Sequence, residues 1–468
     1  MLLFKKNTYL LDYFKYLLSI TLLFFISSLG STGIGLVSIG LVFYAFTGKT
    51  PLRAFFVVFM IYLLVAGNPL IITSKPFALG LARYFSIVAI AFKSYSYFFA
   101  HPNREFIFNK IRGIFVPLTV FLLVAILTSF LSNWYIHISL LKAFQFFIFV
   151  SSLLLFSQSI DYRIGNKIYI LCLSMLTFIV LATLGQFLMD PLSVYYIDEW
   201  APGKFVNTGL FCGIIYHPQS FGLVCAFTVA HVLVKYFEIK SSFLKLASLL
   251  LIFLSIYFIT LTQSRTALFA LIFIISCAFI RTLFFLKSID IMVRKRSYRN
   301  AISTLFLAGI SVIVGLVISG STIINFLEEL FFKYSMYRLS FTDLFYSRID
   351  FIQNSWEAFL KSPIYGEGFG VEKSAKFIES AGIFTAPSEK CFLPTAILHE
   401  LGIIGAVAFI YFLISVTMWA IHRKHINFVF LLYGFILINF GEYIFFSIGG
   451  AGCLGWLILS SSLANNKT

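Results

Sequence analysis

The stretch "TLTQSRTALFAL", residues 260–271, decides how this chain is read. Thr262, Gln263, Ser264 and Arg265 form a short polar break with long apolar runs on both sides. A guanidinium at a bilayer centre costs about 2.5–3.5 kcal/mol even on the lenient insertion scale. The break therefore reads as a tight turn at a membrane surface, where two spans meet.

The composition agrees with that reading. The chain has 468 residues, 60% of them hydrophobic and 12% charged, and a mean hydropathy of +0.95. Globular soluble chains carry about 25% charged residues. Apolar runs of about 20 residues recur from end to end, the length that crosses a bilayer as a helix. The formal charge of +16 is dispersed between these runs, so membrane topology explains it and nucleic acid is not an expected partner. Six cysteines are scattered, with Cys172, Cys225 and Cys277 inside apolar runs. With no CxxC and no paired His/Cys spacing, neither a disulfide framework, a metal site nor a cofactor is expected. The first apolar run lacks a small-residue cleavage pattern, so it reads as a span and not as a cleavable signal peptide.

Fourteen spans are expected, near 10–29, 32–47, 53–69, 77–98, 114–132, 140–158, 168–188, 220–237, 245–262, 266–286, 301–319, 402–421, 426–446 and 448–463. The cations fall in alternate loops. Lys5 and Lys6, Lys49 and Arg53, Arg104 and Lys110, Arg163 and Lys167, Lys235 and Lys240, the cluster Lys287–Arg299, and Arg423 and Lys424 all lie on one side. Lys75, Lys204 and Arg265 lie on the other. Lys15, Arg83, Lys93, Lys142 and Arg281 fall inside the approximate spans and carry no vote. The positive-inside rule then makes both termini cytoplasmic and places Arg265 on the outer face.

The expected fold is an all-α polytopic membrane protein of about 14 transmembrane helices (12–14), with one long outer-face loop containing interfacial helices. Residues 1–319 hold the first eleven spans and a smaller outer loop at 189–219. Residues 320–400 form the long periplasmic or extracellular loop, and residues 401–468 hold the last three spans. The long loop is rich in Phe and Tyr, as in "FLEELFFKYSMYRLSFTDLFY" (326–346), which suits helices lying at the headgroup level.

Few outer-face residues have useful chemistry. Arginine's planar fork of donors matches phosphate oxygens and stays charged, which singles out Arg265, Arg338 and Arg348. Arg265 has a plainer reading as a side chain that snorkels to lipid headgroups or caps a helix end. In "IIYHPQSFG" (214–222), His217 and Gln219 can bind sugar hydroxyls or a phosphate, or simply start the next helix. "SRIDFIQNSWEAFLKSPIYGEGFG" (347–370) places Arg348, Phe351, Ile352, Ser355, Trp356 and Phe359 at helical spacing. Pro363 then stops the helix, and Gly366, Gly368 and Gly370 make a flexible turn. That GxGxG is no nucleotide loop, since no strand precedes it. Glu389 and Lys390 stand just before the twelfth span, and His399 and Glu400 at its start. Any outer carboxylate, among them Asp343, Asp350, Glu357, Glu367 and Glu389, suits a general base.

In this order the pieces resemble the O-antigen ligase and Wzy-type polymerase superfamily. The resemblance rests on "QSRTALFAL", on "HPQS", on Arg348, Trp356, Pro363, Gly366 and Gly368 in the long loop, and on Glu400, Gly402 and Gly405 after it. It is strongest over 210–420. The resemblance implies a membrane glycosyltransferase of the bacterial cytoplasmic membrane, working on its outer face in O-antigen, capsule or exopolysaccharide synthesis. Its donor and acceptor would be undecaprenyl-diphosphate-linked oligosaccharides, and its partners membrane lipids, a chain-length regulator and a flippase. Arg265, Arg348 and Glu389 are then the expected catalytic residues, and His217, Gln219, Arg338, Trp356 and Lys390 the expected substrate-binding ones. Ligases of the family carry a histidine about eleven residues before the position of Gly402. Here that position is Cys391, which favours a polymerase. The alternatives are a ligase transferring glycan to lipid A–core or another acceptor, and a flippase or transporter of lipid-linked oligosaccharides.

Overall fold

A chain in hydrocarbon must satisfy its backbone amides internally, and an apolar run does so as an α-helix. The computed structural model describes residues 2–48, 50–67, 77–132, 135–195, 210–215, 217–236, 239, 241–287, 348–371, 390, 392–448 and 451–464. Ten helices come first: α1 (Leu2–Ser28), α2 (Ser31–Thr47), α3 (Leu52–Val65), α4 (Phe77–Phe99), α5 (Arg104–Ser132), α6 (Ile136–Ser159), α7 (Tyr162–Met189), α8 (Pro218–Tyr236), α9 (Ser242–Thr262) and α10 (Arg265–Lys287). Then follow α11 (Ile349–Lys361), α12 (Leu393–His422), α13 (Ile426–Ile438) and α14 (Ala451–Ala464). Among the described residues, α1 (from Leu10), α4, α5, α6, α7, α9 and α12 are long and apolar enough to cross a membrane.

The outer surface of the bundle has the character of hydrocarbon. Leu18, Phe25, Phe92, Leu250, Val407 and Ile414 stand exposed on these long helices. In water such faces would be aggregation sites, whereas in lipid they match their solvent. The interior is built on two shorter helices. α14 is buried along its whole length, and α3 is buried from Ala54 to Leu64 apart from Phe56. α14 packs on α3, α6 and α7, and α3 packs on α2 and α4. Beside them α8 packs on α9 and α10, α10 on α13, and α12 on α5 and α11.

The expected spans fall on α1–α10 and α12–α14, while the one at 301–319 lies outside the described residues. Several helices start or end some residues away from the expected bounds, and two of these differences bear on the site. α12 starts at Leu393 and bends at Gly402, so His399 and Glu400 lie well inside it. α13 stops at Ile438 instead of continuing to 446, because the next residue folds the chain back. The Asn439 amide donates to Phe435 O at 2.7 Å, and its Oδ1 accepts from Ile444 N at 2.8 Å and Phe445 N at 2.6 Å. One polar side chain thus replaces the missing helical partners and creates a non-helical turn over 439–448.

At the opposite end, the α12–α13 turn buries His425 against Trp419, with ring centroids 5.1 Å apart. Burial first, and then the charges of Lys110 and Arg423, lower the His425 pKa from 6.5 to about 4. The folded state therefore keeps this ring neutral while the unfolded chain protonates it. Stability is full above pH 6.5 and is lost as pH falls toward 4. Thermal unfolding in detergent should show a smaller loss between pH 7.5 and 5 for His425→Gln than for the wild type.

Candidate functional site

The site begins with a broken helix. Gly402 has φ 61° and ψ −163° in the middle of α12, a conformation that removes the helical bonds from residues 403 and 404 to residues 399 and 400. The loop after α11 replaces them. Ile403 N donates to Pro363 O at 2.9 Å and Ile404 N to Ile364 O at 3.3 Å. In return, Glu367 N donates to His399 O at 2.9 Å and Gly368 N to Glu400 O at 2.8 Å. Such a backbone crossing leaves no room for side chains. A Cβ on Gly366, which has φ 67°, would lie 2.5 Å from the Glu400 carbonyl carbon, and one on Gly402 would collide with the Ile364 carbonyl. The glycine turn expected to be flexible is thus stitched to a helix.

Buried charge sits under this crossing. Glu400 Oε1 pairs with Lys390 Nζ at 3.0 Å, and the two side chains are 0% and 2% exposed. Its Oε2 accepts from Gly370 N and from Tyr443 Oη, both at 2.8 Å. Lys390 Nζ also donates to Val371 O at 2.9 Å, and Lys142 Nζ reaches Gly370 O. A second pair, His399 Nε2 to Glu367 Oε2 at 3.0 Å, is also buried. Below both, Phe369 of the loop and Phe446 of the 439–448 turn meet at 5.3 Å, and Phe121 stacks on Phe446 at 5.4 Å.

The third pair is open. Arg348, just before α11, donates to Glu442 Oε1 at 2.7 Å, and each side chain is 19% exposed. Glu442 follows Gly441, where a Cβ would lie 2.7 Å from Thr266 Cγ2, so the turn rests on the first residues of α10. Arg265 is the residue before Thr266 and opens α10, behind Gln263 in the left-handed region (φ 50°). Ser264 Oγ caps that helix by accepting from Ala267 N at 3.4 Å. A Cβ on Gly222 of α8 would lie 2.7 Å from Ala267 Cβ and 3.3 Å from Ser264 Cβ. The starts of α8 and α10, the Glu442 turn and Arg348 are therefore linked by direct contact.

Arg265 and Arg348 are brought to one end of the bundle by this chain of contacts. His217 lies there too, its carbonyl accepting from Phe221 N at 3.0 Å at the start of α8. Gln219 follows in the first turn, and its buried Oε1 has no partner among the described residues. Trp356 is 45% exposed on α11, tilted against Phe359 at 5.1 Å. Lys390, expected to bind substrate, has its ammonium committed to Val371 and Glu400. Glu389, Arg338 and Cys391 lie outside the described residues. Lys142, inside an approximate span, carries no vote in the topology, and Glu442 reads from sequence only as an ionisable residue near mid-membrane, the kind the flippase alternative would need, in the polar break "NFGE" (439–442).

Among the described residues, no group of three or more His, Cys, Asp or Glu side chains could hold a metal ion. No protein-family model matches the chain, and no curated protein matches its sequence.

Two outcomes are expected of the buried network. Lys390→Met should cost about 3–5 kcal/mol in detergent unfolding by stranding Glu400, with much of the loss recovered in Lys390→Met/Glu400→Leu. Gly402→Ala should open residues 363–371 to limited proteolysis, because the left-handed conformation alone costs a non-glycine residue about 1–3 kcal/mol.

Proposed function

We propose that the protein is a membrane polymerase that joins lipid-linked oligosaccharide repeat units on the outer face of a bacterial cytoplasmic membrane. The observation that carries this reading is the contact chain from Arg265 through Thr266, Gly441 and Glu442 to Arg348. It sets two arginine residues at one end of the bundle, where α8, α10 and α11 also begin. Helix starts present unpaired amides and a partial positive charge, so the region suits a phosphate group. The charge alternation of the loops supports an outer-side location for that end, with both termini cytoplasmic. The resemblance to the ligase and polymerase superfamily supplies the substrate: a glycan on undecaprenyl diphosphate.

In this reading the acceptor's hydroxyl oxygen attacks the donor's anomeric carbon, and the bond from that carbon to the diphosphate breaks. The electron pair leaves with undecaprenyl diphosphate, whose developing charge Arg265 and Arg348 stabilise. Free energy already stored in the glycosyl diphosphate drives the step without nucleotide. Arg338 is a third candidate for the clamp. Gln219, with its unpaired carbonyl oxygen, orients a sugar hydroxyl.

Surface and lipid-linked glycans from a strain lacking the gene test the reading directly. Surface glycan stopping at a single repeat unit supports a polymerase. Long chains stranded on undecaprenyl diphosphate identify a ligase, and repeat units trapped on the cytoplasmic side identify a flippase. At normal protein levels, Arg265→Ala and Arg348→Ala should each slow polymerisation about 10²–10³-fold. Arg348→Lys should recover little, since an ammonium lacks the bidentate fork.

A further inference from the structure

We propose that Glu442 is the general base of the transfer step, an assignment that rests on the polymerase reading above. A base needs an uncommitted lone pair, a fixed position and access to the substrate. Three carboxylates of the region pair with basic side chains, Glu400 with Lys390, Glu367 with His399 and Glu442 with Arg348, and only one has all three properties. Both oxygens of Glu400 are occupied, by Lys390 on one side and by Gly370 N and Tyr443 on the other, and the side chain is fully buried. Glu367 is enclosed with His399, the two side chains 7% and 4% exposed. Glu442 bonds Arg348 through Oε1 alone, which leaves Oε2 without a partner among the described residues, and its side chain is 19% exposed.

Its position is held from both sides. Tyr443 N donates to Lys390 O at 3.1 Å and Tyr443 Oη to Glu400, so the residue after Glu442 is tied to the buried network. Gly441 before it rests on Thr266. Asn439 and Phe446 anchor the turn further out. The result is an open carboxylate on a fixed turn, touching one of the two arginines assigned to the diphosphate and adjoining the helix that starts with the other.

The step balances with these groups. Oε2 of Glu442 takes the proton of the acceptor hydroxyl as its oxygen forms the new bond to the anomeric carbon. The carbon–oxygen bond to the diphosphate breaks, and the electron pair leaves with the phosphate. Arg348, bridging Glu442 and the donor, aligns base and leaving group. The proton then passes from Glu442 to solvent or to the released diphosphate.

The test uses full-length protein in vesicles, with the polyprenyl-diphosphate-linked repeat unit isolated from the deletion strain as substrate. Polymer formation is followed against pH, and binding of that repeat unit is measured separately. Glu442→Gln should lower the rate about 100-fold or more, keep binding of the repeat unit, and abolish the rise of rate with pH on the acidic side. Glu442→Asp should restore part of the rate and the pH dependence. Arg348→Ala should instead weaken binding and keep the acidic limb. Polymerisation by Glu442→Gln at the wild-type rate would overturn the assignment. So would a loss of binding that matches Arg348→Ala, which would make Glu442 only the dock for α11. If Glu442→Gln does not fold, Glu442→Asp decides: a slowed rate with intact binding supports the base, and an unchanged rate removes it. A wild-type protein that makes no polymer in this assay strikes the polymerase reading itself, separately from Glu442.

Discussion

Everything at the candidate site depends on hydrogen bonds exchanged at Gly402. A helix broken within a membrane would strand two carbonyls and two amides, each costing several kcal/mol in a medium without water. Here residues 363–368 take all four, accepting from 403 and 404 and donating to 399 and 400. The loop is thereby locked to α12 by backbone geometry, and its side chains inherit fixed positions. A kink of this kind has an identifiable cause, the insertion of another segment into the helical ladder. It also explains why glycine stands on both sides of the crossing.

The crossing sorts the charges by depth. Two ammonium groups, Lys142 and Lys390, converge on Gly370, Val371 and Glu400 with almost no exposure at Lys390 and Glu400. Buried pairs are weak evidence of net stability but costly to break, so this cluster specifies one arrangement of loop, helix and turn. Arg348 and Glu442 are partly solvated, where an ion pair contributes little to stability and its partners can be exchanged. The electrostatic gradient runs from a fixed, enclosed network to a pair able to meet a ligand.

How much of this was legible in sequence follows from the range of each interaction. The turn at Gln263–Arg265 is local, and its helices lie where the apolar runs put them. Pro363 marks the end of α11, and the glycines after it mark a turn. The Gly402 break is legible only as an unusual glycine, because its meaning comes from a loop that packs on it in three dimensions. Lys142, Glu400 and Glu442 find partners far along the chain, so hydropathy could register them only as interruptions. The early end of α13 is an intermediate case. Asn439 is a visible polar residue, but its capping role depends on backbone amides further along the folded turn.

The lengths of the last two helices complete the physical picture. α13 has 13 residues and α14 has 14, about 20 Å each at 1.5 Å per residue, against a hydrocarbon core of about 30 Å. If their other ends lie at one membrane surface, the 439–448 turn lies about 10 Å short of the opposite surface. Non-helical backbone at that depth persists only where protein covers it or water reaches it. Phe369 of loop 363–371 packs on Phe446 of this turn, while Glu442 and Arg348 are partly exposed. Under the proposed function, a lipid-linked diphosphate entering there would meet Arg348 below the headgroup level while its prenyl chain stayed in hydrocarbon. Sunken turn, open ion pair and helix starts together suit a charged group carried on a lipid better than a soluble substrate.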